Sequence, residues 1–362
     1  MFKIIAQYYV EQYSFLNLFN FITFRVGASI LTALFFSLIF GQYLINKISK
    51  IQPIGQPIRN DGPETHIIQK AGTPTMGGLL IILSVVISLI LWSDLQNTFV
   101  WIGFLALIFF GFIGFVDDYN KIKSNSSNGL KARTRIILQI FFALMISILV
   151  INNLDDHINT TISFPFFKNL IVNFGYFYLF ISLFIIVGSA NAVNLTDGLD
   201  GLAIVPVMIV AMTFAFIAYV SGNIVFSEYL LINYIPGTGE LSVLCGALIG
   251  AALGFLWFNA PPAKVFMGDT GSLALGASIG SIAIMVKHEI VLAIAGGLFV
   301  LETLSVIIQV ISYKLTGKRV FMMAPLHHHF EKKGWAESTI VIRFWIITIV
   351  LALLSLATLK IR

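Results

Sequence analysis

The chain has 362 residues, 58% of them hydrophobic and only 11% charged, with a net charge of +5 and a mean hydropathy of +0.92. Water-soluble domains carry roughly 25% charged residues, so the composition excludes a soluble globular protein and leaves an integral membrane protein. The basic excess is spread over loop lysines and arginines, where it bears on topology and not on nucleic-acid binding. The single cysteine, Cys245, lies in an apolar run and cannot form an internal disulfide.

Residues 5–20 are aromatic and mildly amphipathic, as a segment lying at the membrane surface would be. No basic start followed by a small-residue cleavage site is evident. Crossing hydrocarbon takes about 20 apolar residues. Ten stretches meet that need: 23–45, 75–93, 99–117, 134–152, 174–192, 201–220, 241–259, 271–287, 289–312 and 339–359. No segment between them is long enough to fold alone. The chain (1–362) therefore reads as one all-α polytopic membrane bundle.

Basic residues orient it. Lys47, Lys50, Arg59 and Lys70 follow the first span; Lys121, Lys123, Lys131, Arg133 and Arg135 follow the third; Lys314, Lys318, Arg319, Lys332 and Lys333 follow the ninth. The alternate loops are nearly bare, with Lys168 alone in 153–173 and Lys287 alone at the eighth turn. Positive residues stay in the cytoplasm, which puts both termini outside. Lys360 and Arg362 run weakly against that assignment.

The polar motifs then fall on one side. Asp117 and Asp118 end the third span inside. Residues 191–201 (N-A-V-N-L-T-D-G-L-D-G), 259–269 (N-A-P-P-A-K-V-F-M-G-D), 324–331 (A-P-L-H-H-H-F-E) and 70–78 (K-A-G-T-P-T-M-G-G) are inside loops, and the outer loops offer nothing comparable. Asn191, Asn194, Asp197 and Asp200 recur every three residues, near one face of a helical turn. With Thr196 the stretch holds five such residues where a helix cap needs one or two, and polar groups beside hydrocarbon are costly. This one-sidedness suits an enzyme fed from the cytoplasm. A transporter would also place polar groups at mid-membrane and at the other face.

Asp117 and Asp118 point about 100° apart on a helix, so one can face the site while the other anchors a lysine. Asp269 fits the way Mg²⁺ takes one or two carboxylates plus phosphate oxygens, although a helix N-cap would also place an Asp there. Lys264 lies close to it in sequence. His327, His328 and His329 are three of the six histidines, and consecutive histidines splay too far apart for a zinc site. Among lysines they suit phosphate. Lys70, Lys121, Lys131, Arg133 and Lys264 can meet phosphates or lipid headgroups. Glu302 and Gln309 share a face of the ninth span, with Glu302 read as a buried structural partner. Aspartates for a hard metal, cations and access from the bilayer point to phosphoryl transfer involving a lipid.

These same stretches, with F-V-D-D-Y (115–119), F-L-W-F-N (255–259) and V-F-M-G-D-T-G-S-L-A-L-G (265–276), resemble the polyprenyl-phosphate N-acetylhexosamine-1-phosphate transferases. The triple histidine followed by E-K-K-G-W resembles their muramoyl-pentapeptide branch. The resemblance implies the transfer of phospho-N-acetylmuramoyl-pentapeptide from UDP-N-acetylmuramoyl-pentapeptide to undecaprenyl phosphate, giving lipid I and UMP with Mg²⁺. It implies a homodimer in the inner-membrane bilayer with a cytoplasmic site. It assigns the metal to Asp269, and the lipid-phosphate and catalytic end to Asp117 and Asp118 together with Asp269 and His327. It assigns substrate contacts to Lys70, Thr75, Asn191, Asn194, Asp197, Gly198, Leu199, Asp200, Asn259 and Phe266, and places His327, His328 and His329 near the sugar-phosphate. A sister transferase moving N-acetylglucosamine-1-phosphate, or a non-catalytic carrier of anionic lipids, is the competing reading. Direct attack by the lipid phosphate and a covalent enzyme intermediate both stay open, with direct attack favoured because the lipid phosphate is already a competent nucleophile.

Overall fold

The computed structural model describes residues 1–53, 55, 72–124, 126, 129–167 and 170–360. Lys70 and Arg59 therefore lie outside the described residues, as does Lys168. The chain is all but entirely helical. In order run α1 (Phe2–Tyr9), α2 (Ile22–Ile51), α3 (Gly78–Trp92), α4 (Thr98–Lys123), α5 (Ala132–Asn153), α6 (Tyr178–Thr196) and α7 (Ile204–Ser221). Then come α8 (Ile224–Leu230), α9 (Leu241–Asn259), α10 (Gly268–Met285), α11 (Glu289–Ala295), α12 (Gly297–Thr316), α13 (Leu326–Lys332) and α14 (Glu337–Ala357).

Eight of these, α2, α4, α5, α6, α7, α9, α12 and α14, are long and apolar enough to cross a membrane. The other two expected spans differ, each for a reason. α3 is apolar but has 15 residues, because residues 72–77 enter it as turn and irregular chain. α10 is the central helix, buried at every position from Thr270 to Met285. It never faces lipid, so it can carry Asp269, serines and glycines where an outer helix needs leucines. The expected ninth span is two helices, α11 and α12, divided at Gly296 and Gly297. Adjacent glycines cost a helix interior about 1 kcal/mol each relative to alanine. The loop 154–177 adds a small antiparallel ribbon, β1 (Thr161–Ser163) with β2 (Ile171–Asn173), pairing Thr161 with Asn173.

α10 packs most heavily on α4 and α6, and α9 on α2. Small residues permit this closeness. A Cβ on Gly114 of α4 would fall on the Asp269 carbonyl, and one on Gly78 would fall on the Gly271 backbone. Between α2 and α3, buried hydroxyls pair across the interface, Ser29 with Ser88 at 2.8 Å and Ser37 with Ser84 at 2.7 Å.

The first-turn residues of α3, α5 and α10 and the last-turn residues of α4 and α6 share one face of the bundle. The opposite face holds buried ion pairs that its loops do not suggest. Arg25 grips Glu240 through two bonds of 2.6 Å and also donates to the Trp92 carbonyl at 3.2 Å. Lys287 is fully buried, its Nζ 3.3 Å from Glu289 Oε1 and 3.6 Å from the Tyr178 ring centre. These pairs tie helices together, although Arg25 Nε and Glu289 Oε2 keep no hydrogen-bond partner among the described residues. They went unseen because Arg25 and Glu240 lie 215 positions apart.

Candidate active site

Asp117 and Asp118 reach the site because the apolar run of α4 ends there, one turn before its basic last turn. Asp269 reaches it from the first turn of α10. Oxygens of the three carboxylates lie within 4.8 Å of one another. Lys121 sits among them, with Nζ 2.6 Å from Asp117 Oδ2, 3.0 Å from Asp269 Oδ2 and 3.8 Å from Asp118 Oδ1. Arg135, one turn into α5, donates to Asp269 Oδ2 at 3.1 Å. Such a concentration of negative charge with little water repels itself, and these two cations offset it.

The adjacent aspartates have different jobs. Asp117 pairs with Lys121 and accepts from Leu130 N–H at 2.8 Å. Asp118 turns to α10 and accepts from the N–H groups of Asp269 and Thr270 at 3.2 and 2.9 Å, and from the Thr270 hydroxyl at 2.7 Å. The cap of α10 is thus supplied by α4, and Asp269 is free of that duty. Asp269 Oδ1 instead accepts from Asn194 Nδ2 at 2.7 Å, and Asn194 also donates to Ser272 at 2.8 Å. Thr75 Oγ1 is buried beside the cluster without a hydrogen-bond partner among the described residues. Gly268, at φ +72°, lies where any Cβ would meet both Thr75 Oγ1 and Asp118 Oδ2. Among the described residues the clustered metal-ligating groups are all carboxylates, with no sulfur or imidazole. That set fits a hard divalent cation and not zinc.

Lys264, expected beside Asp269, is exposed and is not among its partners. Among the described residues the cations there are Lys121 and Arg135. Nothing in the sequence singles out Arg135 from its basic neighbours.

The residues 191–201 divide because α6 ends at Thr196. Asn194 faces Asp269. Asn191 turns to α5, donating to Gln139 Oε1 at 2.8 Å, and is not brought to the cluster. Asp197 is the C-cap of α6, and Gly198 donates to the Thr196 carbonyl at 2.9 Å. Leu199 is buried with Leu298, Ile340 and Phe344. Asn259 is buried too, bridging Gly201 N–H at 3.0 Å and the Val265 carbonyl at 2.9 Å. Leu199 and Asn259 therefore support the turn with their side chains. The even three-residue spacing did not keep the four polar residues on one face, since the helix stops halfway through it.

Asp200 and Phe266 line a cavity of about 260 Å³ together with Thr73, Pro262 and Glu337. This cavity is joined to the carboxylates by backbone. Phe266 N–H donates to the Pro74 carbonyl, and the Gly77 and Gly78 N–H groups donate to the Phe266 and Met267 carbonyls, all at 2.9 Å. Along these same two segments lie Thr75 and Asp269.

The three histidines lie in α13 and do splay. Buried His327 puts Nδ1 3.2 Å from Glu302 Oε1, while its Nε2 lies against Gly198. His328 meets Glu331 at 2.6 Å. His329 Nδ1 accepts from Met322 N–H at 3.1 Å, and partial burial with Lys333 nearby pushes its pKa down. Glu302 and Gln309 hold this whole segment. Glu302 accepts from Leu326 and His327 N–H groups at 2.7 and 3.2 Å, and Gln309 accepts from Val320 and Phe321 and donates back to Phe321. Glu302 is fully buried with these partners.

A polytopic helical bundle with hard-oxygen donors and cations gathered at one face, beside a cavity, is the build of a membrane-embedded transferase. Residues 100–287 match glycosyl transferase family 4, and residues 70–82 match the phospho-N-acetylmuramoyl-pentapeptide-transferase signature 1. The chain is 60% identical over 354 residues, 98% of each chain, to the phospho-N-acetylmuramoyl-pentapeptide-transferase of Pelagibacter ubique. It belongs to that family.

Proposed function

We propose that the protein transfers phospho-N-acetylmuramoyl-pentapeptide from UDP-N-acetylmuramoyl-pentapeptide to undecaprenyl phosphate, releasing UMP and forming lipid I. The observation that carries this reading is the backbone pairing of segments 74–78 and 265–268, which links a cavity to the carboxylate cluster. A nucleoside in the cavity would present its diphosphate toward Asp117, Asp269, Lys121 and Arg135.

Asp269 and Asp117 are the residues that would hold Mg²⁺, with Asn194 and Lys121 fixing the Asp269 carboxylate. Bound Mg²⁺ would neutralise charge on the diphosphate. Lys121 and Arg135 add positive charge for the phosphate oxygens in transit. The lipid phosphate is a monoester with a second pKa of about 6, so at neutral pH it is mostly dianionic and needs no base. Asp117 then positions phosphate or metal, and the lipid phosphate attacks directly. The polyprenyl chain has a place in an apolar groove of about 290 Å³ between α6, α10 and α12, which includes Ala192 and Val193 next to Asn194.

The site opens to the cytoplasm of the inner membrane in this reading, because Lys47, Lys50, Lys123, Lys131, Arg133, Lys314 and Lys318 share its face. The reading includes a homodimer, which light scattering of the solubilised protein tests. The central experiment is UMP release by purified protein with undecaprenyl phosphate. We expect release from UDP-N-acetylmuramoyl-pentapeptide and not from UDP-N-acetylglucosamine. The reverse preference would make it a sister transferase, and no release from either would leave a carrier.

A further inference from the structure

The turn 197–201 is held mostly by parts of the chain remote in sequence. Trp345 Nε1 donates to the Gly201 carbonyl at 3.2 Å, and Ala263 N–H donates to Asp200 Oδ2 at 3.0 Å. Glu337 Oε1 accepts the Asp200 N–H at 2.9 Å. Glu337 differs from the Trp345 brace in one respect: it also lines the cavity that Asp200 and Phe266 line.

We infer that Glu337 is a positioning residue of the nucleoside pocket, acting by fixing Asp200. This rests on the reading that the cavity takes the nucleoside of a UDP-sugar. Asp200 is buried and its carboxylate is tied to the 261–263 loop, so the direction of that carboxylate depends on where its own backbone is pinned. Glu337 supplies that pin. It does so from the first turn of the 21-residue α14, whose backbone fixes where that carboxylate can reach. Without it the Asp200 N–H loses its partner in a half-closed site, and the turn can rotate the Asp200 carboxylate away from the loop opposite. The last helix of the chain thereby reaches into a pocket whose other walls come from residues 73, 200 and 261–266.

The test is calorimetric binding of UMP and of uridine to the full-length solubilised protein, with steady-state kinetics alongside. E337A is expected to weaken both ligands about tenfold, the scale of one lost hydrogen bond to a charged group. The KM for the UDP-sugar should rise in step, while the KM for polyprenyl phosphate stays put. E337Q keeps an acceptor oxygen and should recover most of the loss. W345F removes the neighbouring brace without touching the cavity; it should lower the melting temperature and bind UMP normally. Wild-type affinity in E337A, or an equal loss in W345F, would overturn the inference and make Glu337 a general stabiliser. A weakening of UMP with uridine unaffected would also overturn it, by moving the effect to the phosphates. If E337A does not fold, E337D carries the same expectation, since its shorter side chain withdraws from the Asp200 N–H. Failure of the wild-type protein to bind UMP at all would instead reject the nucleotide reading.

Discussion

Asp118 of α4 caps α10 from outside that helix, its Oδ2 accepting from both the N–H and the hydroxyl of Thr270, at 2.9 and 2.7 Å. Its neighbour Asp117 caps no helix and accepts a single backbone N–H, that of Leu130 at 2.8 Å. Asp118→Asn should therefore cost about 1 kcal/mol of stability, the usual scale of a helix cap, as well as activity. Asp117→Asn should lose activity with a much smaller change in stability. Thermal melts of the two solubilised variants check this, and equal melting temperatures would refute the division of labour.

Asp269 receives Lys121, Arg135 and Asn194 on its two oxygens. Asp269→Asn should fold normally yet lose UMP release by at least about a hundredfold, the scale of removing one electrostatic partner of the reacting charge. Chelation of divalent ions should silence the wild-type protein, and Mg²⁺ or Mn²⁺ should restore it. Full turnover by folded Asp269→Asn in ordinary Mg²⁺ would end the metal assignment.

His327 occupies the space that a side chain at Gly198 would need. Gly198→Ala must push the imidazole back toward Glu302, an overpacking cost of about 1–3 kcal/mol. Adding His327→Ala should return much of that stability, so the pair should be strongly non-additive in a double-mutant cycle. Simple additivity would mean that the turn and α13 do not touch in solution.

The acidic cluster lies at the same face as the basic loops, so a reporter inserted at 124–129 should read cytoplasmic. One fused after 221–240 should read outside. Reversed signals would turn the bundle over and remove the site from its nucleotide.

Direct attack requires both substrates together. Delipidated protein given radiolabelled UMP, Mg²⁺ and unlabelled UDP-N-acetylmuramoyl-pentapeptide should incorporate no label until polyprenyl phosphate is added. Phosphate analysis must verify delipidation. Rapid exchange without lipid, abolished in a single aspartate variant, would establish a covalent intermediate on that residue.

The sequence by itself determined the class of fold, because nearly every apolar run had the length that hydrocarbon demands, and it gathered the polar motifs onto one face through the spacing of the runs. It also marked Asp117, Asp118, Asn194 and Asp269 as chemistry-bearing residues, since carboxylates and amides at the ends of apolar helices are too costly to be idle. Only the tertiary structure decided what each of them does. Asp118 is a cap because α4 and α10 meet at Gly114, and Asn191 hydrogen-bonds Gln139 because α5 presents that residue to it. Arg135, not Lys264, joins Lys121 in neutralising Asp269. Gly296 and Gly297 break an apolar run that hydropathy alone leaves whole, and α10 crosses the bundle with a composition that hydropathy undervalues because protein, not lipid, surrounds it. Glu337 meets Asp200 across 137 positions. Local pattern reports the solvent a residue must face, and partners that distant in sequence leave no trace in it.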